Sequence, residues 1–214
     1  MREAEGLCFS DADGGEPWAA STRSSRTHVV GTAIIAGGAV LAGGALAMPD
    51  SSAAGRPSLA RDVDVLNFLL VLEYLQASFY VEARTRAKLR GELLEFANVV
   101  HAHEQEHVAF LKRMLGRYAR RKPRFDFRDT TAVPKKFAAT AALLEETAVA
   151  AYNGQGTNLT KGALANVTEV VSVEARHAAW IRDIIGESPA PRAADPPKTA
   201  VQVTALLRRN QFLK

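Results

Sequence analysis

Residues 103–111 read His-Glu-Gln-Glu-His-Val-Ala-Phe-Leu, and residues 173–181 read Val-Glu-Ala-Arg-His-Ala-Ala-Trp-Ile. Both hold Glu-x-x-His, as Glu104 with His107 and Glu174 with His177. Both continue with two small or aliphatic residues, an aromatic and an aliphatic. On a helix, positions i and i+3 share a face, so each pair aims one carboxylate and one imidazole into the same space. Two such pairs supply oxygen and nitrogen donors for two metal ions.

The surrounding chain has helical period and few strand signals, which predicts an all-α protein. Four long segments are expected, over about residues 62–89, 92–118, 134–152 and 158–185. In the first, Leu66, Leu69, Leu70, Ala77, Tyr80 and Ala83 form an apolar stripe with Glu73 in its middle. A lone ionised carboxylate there costs several kcal/mol unless it is paired or bound to metal. The second carries Leu93, Phe96, Ala97, Val100, Glu104, His107, Phe110, Leu111 and Met114 inward. The third carries Phe137, Ala141, Leu144, Glu145, Ala148 and Tyr152, with Gly154 and Gly156 read as its end. The fourth carries Leu164, Val167, Val170, Val171, Glu174, His177, Trp180, Ile181 and Ile184. The short break at Gly91 makes the first two segments antiparallel. Residues 119–133 form a longer link, readable as a crossover down a bundle. A helix of about 26 residues is ~39 Å long, and a link of about 15 residues reaches ~46 Å when extended. The predicted fold is an antiparallel four-helix bundle with a long crossover between helices 2 and 3 and a short C-terminal helix.

Segments one and three match each other as well. Leu72-Glu73 and Tyr80 align with Leu144-Glu145 and Tyr152, and in each case tyrosine follows glutamate by seven residues, on the same face. The chain therefore reads as two copies of one helical hairpin, each with Glu on the first arm and Glu-x-x-His on the second. Together they offer four carboxylates and two imidazoles, the ligand set of a dinuclear carboxylate site in a four-helix bundle. Such a set without sulfur suits iron or manganese, with zinc less favoured. Glu73 and Glu145 are expected to cap one metal each, Glu104 and Glu174 to bridge both, and His107 and His177 to bind one each. Tyr80 and Tyr152 are expected beside the ligands, as hydrogen-bond donors or one-electron donors. Glu146 competes with Glu145 for the third-segment role, and the repeat favours Glu145. Gln76, three after Glu73, can also touch the site, and its counterpart is Ala148.

The stretches DVLNFLLVLEYLQASFY, HEQEHVAFL, EETAVAAYNG and VEARHAAWI resemble the ferritin-like superfamily. The likeness spans about residues 62–186 and looks closest to the bacterial and plant group that includes desiccation-related proteins. It implies a four-helix bundle with a di-metal centre and leaves the reaction open among iron oxidation, peroxide chemistry and oxygenation.

Residues 103–107 also fit His-Glu-x-x-His, in which His103 and His107 bind zinc and Glu104 acts as general base. The second copy has Val173 in place of His103, no third ligand follows at peptidase spacing, and strands are lacking. His101 and His103 are accordingly expected on the exposed side of segment two. Asn158-Leu-Thr160 and Asn166-Val-Thr168 match the glycosylation pattern but fall on or near a helix, and are read as chance.

The 214 residues carry a formal charge of +4, much of it in the run Lys112 to Arg124. That run is read as a solvated helix end, and no nucleic-acid partner is expected. A single cysteine, Cys8, excludes an intrachain disulfide and cysteine-based zinc sites. Arg23 and Arg26 precede the uncharged run 29–47, which ends in Ala45-Leu46-Ala47, the outline of a cleaved export signal. The rival reading is an uncleaved anchor over residues 29–47. The expected organisation is a leader over 1–47, a linker over 48–61, the bundle over 62–186 and a proline-rich tail with a short amphipathic helix over 187–214. In that tail Val201, Val203, Leu206, Leu207 and Phe212 are read as cap or partner contacts. The expected function is a redox enzyme acting on oxygen or peroxide in the periplasm or cell envelope, with homo-oligomers possible. The alternative is a non-catalytic stress or desiccation protein with a structural metal or none.

Overall fold

Four amphipathic segments must share one interior, and in the computed structural model, which describes residues 56–213, they do. Residues 1–55, with the expected export signal or anchor, lie outside the described residues. The helices are α1 (Leu59–Arg86), α2 (Gly91–Leu115), α3 (Pro134–Gln155), α4 (Lys161–Ile184) and α5 (Ala200–Arg209). Between the described residues there is no named strand, only an isolated bridge from Phe125 to Leu213.

The boundaries follow local chemistry. Ser58 accepts the Arg61 amide and starts α1, so the linker expected to run to residue 61 ends three residues earlier. Lys88 and Gly91 take φ of 50° and 56°, turning the chain tightly into α2. Gly116, at φ 53°, stops α2 three residues before the expected end. Thr160 caps α4, so that helix begins at Lys161 and not near Asn158. Gly154 does not end α3, which continues to Gln155.

Side-chain partners give the directions. Glu73 and Tyr80 of α1 sit level with Tyr152 and Glu145 of α3, so these helices are antiparallel. Glu104 and His107 of α2 sit level with His177 and Glu174 of α4, which makes that pair antiparallel too. Each helix is thus antiparallel to both neighbours, and the diagonal pairs α1/α4 and α2/α3 are parallel. A parallel pair needs its connection to travel the bundle's length, and residues 116–133 do so along α1. Asn67 holds its start, donating to the Tyr118 carbonyl at 3.0 Å and accepting the Arg120 amide at 2.8 Å. Tyr74 donates to the Arg120 carbonyl, Lys122 reaches Ser78, and Thr131 donates to Glu82. Phe127 of the link is buried against Phe79.

Asp62 fastens the far end, accepting both the amide and the hydroxyl of Thr160. Helix α1 is apolar and long enough to cross a membrane, but most of its apolar stretch is buried inside the bundle, as a core helix requires. The tail docks on α3. Lys198 donates its amide to the Ala150 carbonyl at 2.8 Å, and the backbone passes so close that a Cβ on Gly154 would lie 1.9 Å from the Lys198 carbonyl oxygen. A capping box at Thr199 and Gln202 sets the register of α5, burying Val203 and Leu207 while Val201 faces solvent. Leu164, expected inward, stands exposed at the rim because α4 presents Ala163 and Val167 to the core instead.

Candidate metal centre

Glu73, Glu104, Glu145 and Glu174 come one from each helix of the bundle, and every one of them is 0% exposed. His107 and His177, one turn beyond Glu104 and Glu174, face the same space and are buried too. The structure brings all six sequence-predicted ligand residues together. Their donor atoms fall into two overlapping groups, Glu73–Glu104–His107–Glu174 and Glu104–Glu145–Glu174–His177, with the atoms of each group within 4.8 Å of one another. Glu104 and Glu174 belong to both groups, and the other four residues belong to one each. Glu146 points away from this space and pairs with Arg182.

The Nδ1 atoms of the imidazoles sit amid carboxylates without a directed hydrogen bond to any of them. His107 Nδ1 lies 2.9 Å from Glu174 Oε1, 3.3 Å from Glu73 Oε2 and 3.7 Å from Glu104 Oε2. His177 Nδ1 lies 3.2 Å from Glu145 Oε2, 3.5 Å from Glu104 Oε1 and 3.9 Å from Glu174 Oε2. Despite the short separations, both nitrogens, both oxygens of Glu104, and one oxygen each of Glu73, Glu145 and Glu174 lack hydrogen-bond geometry to any partner. The distances and the orientations thus disagree as a description of ion pairs. Orientation decides it, because a hydrogen bond weakens steeply when its donor is misaligned. Lone pairs from six residues converge on shared points, as cation ligands do.

Electrostatics give the same picture. Four carboxylates face two imidazoles, so even with both imidazoles protonated two negative charges would remain in a buried space, at a cost of several kcal/mol each. The metal-free site takes up protons instead. Burial pushes the Glu104 carboxyl well above the usual carboxylate range, and the Glu73 charge pushes it further. Burial and the charges of Glu104 and Glu73 do the same to Glu174. Glu73 goes the other way: burial alone would raise it, but the His107 imidazole beside it holds it below its ordinary value. Burial would lower both histidines, yet the surrounding carboxylates, Glu104 and Glu174 for His107 and Glu145 for His177, hold both above the usual imidazole range. A divalent cation at each group would replace those protons with ordered charge. The buried glutamate and histidine groups can therefore hold metal, and their oxygen and nitrogen donors fit two hard or borderline divalent ions.

Tyr80 and Tyr152 are buried against the same site. Tyr80 donates to Glu145 Oε1, and Tyr152 donates to Glu73 Oε1. Each tyrosine therefore serves the other hairpin's glutamate. Two helical turns, ~10.5 Å, separate it from the glutamate on its own helix, and the antiparallel neighbour brings the opposite one level with it. Burial and the accepting carboxylate push both phenols well above their ordinary range, so they stay protonated donors. Gln76 donates to Glu145 Oε1 at 3.1 Å and lies 3.5 Å from Glu174 Oε2.

Two expectations about histidines are corrected. His101 is 8% exposed, because it lies one turn from both Glu104 and Ala97 and so falls within the wide buried stripe of α2. His103 is half-buried in the seam with α4, its Nδ1 2.9 Å from His177 Nε2 and the two ring planes only 16° apart. Among the described residues it belongs to neither donor group, and its ring nitrogen meets His177 instead. His103 is nevertheless part of the site's surroundings, and its i, i+4 relation to His107 on the α4 side was the signal for it.

A bundle with crossover topology and a carboxylate–histidine cluster at its centre defines a class of helical metal-site proteins. This chain belongs to the ferritin-like domain family, whose model matches residues 61–187. Comparison with curated proteins gave no match.

Proposed function

We propose that this chain is an exported di-metal carboxylate protein that carries out redox chemistry on oxygen or peroxide. One observation carries the reading. Four fully buried glutamates aim unpartnered oxygens, with two imidazole nitrogens, at two overlapping points. A fold that gained nothing from ligands there would be more stable with apolar side chains. In this reading Glu73 and His107 would hold one ion and Glu145 and His177 the other, with Glu104 and Glu174 available to both.

Two iron or manganese ions would supply one-electron steps in pairs, the currency needed to reduce oxygen or peroxide. The protein's part is to orient and to exclude. Tyr80 and Tyr152 hold one oxygen of Glu145 and of Glu73, which leaves the other oxygen of each to bind. Both oxygens of Glu104 are free of hydrogen bonds, so this carboxylate can shift as charge at the site changes. The site is shielded from bulk solvent, since the His107 and His177 side chains are only 10% and 4% exposed. The export part of the proposal rests on residues 29–47 of the sequence.

The test is turnover by metal-loaded mature protein. Peroxide loss or Fe(II) oxidation, abolished in Glu104→Ala and in His177→Ala, supports the enzyme. Metal content near zero after purification without chelators, in a chain that remains folded, overturns it in favour of a non-catalytic stress or desiccation protein.

A further inference from the structure

The two halves of the site match at every ligand and differ at two supporting positions. Where the first hairpin has Gln76 the second has Ala148, and where the first has His103 the second has Val173. Gln76 reaches Glu145 and His103 reaches His177, so both extra groups act on the Glu145–His177 end. Glu145 Oε1 accepts from Tyr80 and from Gln76, so its Oε2 is aimed inward by two donors. Gln76 also lies 3.5 Å from one oxygen of Glu174, while neither oxygen of Glu104 has a partner. His177 Nε2 meets His103 Nδ1 at 2.9 Å.

The histidine contact has a chemical consequence. A nitrogen that binds metal must present a lone pair, so inward Nδ1 of His177 must be bare and Nε2 must carry the proton. His103 Nδ1 stands where it can accept that proton's hydrogen bond, which fixes both tautomer and ring orientation. Val173, the residue aligned with His103, has an aliphatic side chain that offers no acceptor. At Glu73, Tyr152 holds Oε1, and the methyl group of Ala148 cannot donate.

Building on the di-metal reading, we infer that the two metal positions are inequivalent. His103 and Gln76 are positioning residues that make the Glu145–His177 position the tighter one, filled first. The Glu73–His107 position, with fewer groups held in place, fills second. An ordered pair of this kind has one ion held firmly and one held loosely enough to exchange or to change its ligands.

The experiment is Mn2+ titration of the metal-free full chain, followed by calorimetry and by electron paramagnetic resonance. The wild type is expected to bind in two resolved steps. At one equivalent the spectrum should show isolated Mn2+, and at two equivalents the signal of a coupled pair. His103→Val and Gln76→Ala, each copying the second hairpin, should weaken the first step about 10- to 100-fold and leave the second nearly unchanged. The coupled signal should then already be present at one equivalent. Val173→His, which gives His107 the missing imidazole, should strengthen the second step, a gain that misfolding cannot imitate. A single step with equal affinities in the wild type overturns the inference alone, as does a first step that neither loss variant moves. Failure to bind Mn2+ at all overturns the di-metal reading with it.

Discussion

The two hairpins agree at every candidate ligand and at the tyrosine that holds a glutamate oxygen, and diverge at two further supporting positions. Glu73, Tyr80, Glu104 and His107 recur as Glu145, Tyr152, Glu174 and His177, whereas Gln76 and His103 become Ala148 and Val173. Their outer coverings differ as well. The crossover runs along α1, tied by Asn67, Ser78 and Glu82, and the tail strap lies on α3, tied at Ala150 and Gly154. The packing next to the tyrosines differs in turn. Tyr80 contacts Phe79, Phe96 and Phe137 in a layer that Phe96 extends to Trp180, and among the described residues no such ring layer surrounds Tyr152. Ligand geometry tolerates no drift between the copies, since one displaced donor empties a position. Beyond the tyrosines, the supporting positions are filled by different residues in the two copies.

The largest effect is expected where the halves share a residue. Glu104→Gln keeps the volume and removes a ligand common to both groups. Metal affinity should fall more than about 100-fold at both positions, since loss of a group that only orients a ligand already costs ~10- to 100-fold. Thermal unfolding of the metal-free variant should be no less stable than wild type at neutral pH, because a buried carboxyl has been replaced by an isosteric amide. By contrast, Glu73→Gln and Glu145→Gln should each lose chiefly one metal per chain, measured by elemental analysis.

Acidity should separate the metal-free from the metal-loaded protein by sign. The folded-state pKa values of Glu104, Glu174, His107 and His177 all lie above their ordinary values of 4.5 and 6.5. Their contribution to stability is therefore complete below those ordinary values and is lost as pH rises through the raised ones. Glu73, held low, acts oppositely, and only below about its ordinary value of 4.5. Metal-free protein should thus unfold at lower temperature at pH 8 than at pH 5. Metal must displace the same protons, so affinity should rise over that interval. Denaturation scans and metal titrations at the two pH values check both directions.

Smaller effects should distinguish the coverings. Gly154→Ala places a methyl group against the Lys198 carbonyl and should cost ~1–3 kcal/mol by forcing the strap off α3. Gly162→Ala in α4, where a Cβ meets nothing, should gain up to ~1 kcal/mol from helix propensity. Smallest of all, Glu146→Ala breaks a partly exposed pair with Arg182 and should change stability by less than ~1 kcal/mol. Chemical denaturation measures all three.

The bundle and the convergence of six ligand residues were legible because both impose rigid periodicities. Glu-x-x-His and Glu-x6-Tyr put polar groups into apolar stripes at intervals that only a helix makes sense of, and repetition removes chance as an explanation. The pairing of tyrosines with the opposite glutamates was not legible from one helix, because it depends on which level of the antiparallel neighbour lies alongside. His103 was missed for a related reason. Seen in α2 alone it sits off the stripe, and only the α4 seam gives it a partner in His177. Gly154 resembles a helix terminator in sequence, and its actual role is to admit a backbone that crosses from the tail. Local pattern carries local geometry, and contacts between elements distant in sequence supply the remainder.

The central claim is that six buried side chains hold two metal ions. Elemental analysis of the protein made with its leader in its native compartment, without chelators, tests it most directly. Two atoms of iron or manganese per chain is the predicted result. One zinc per chain, or no bound metal in a folded chain, would contradict it.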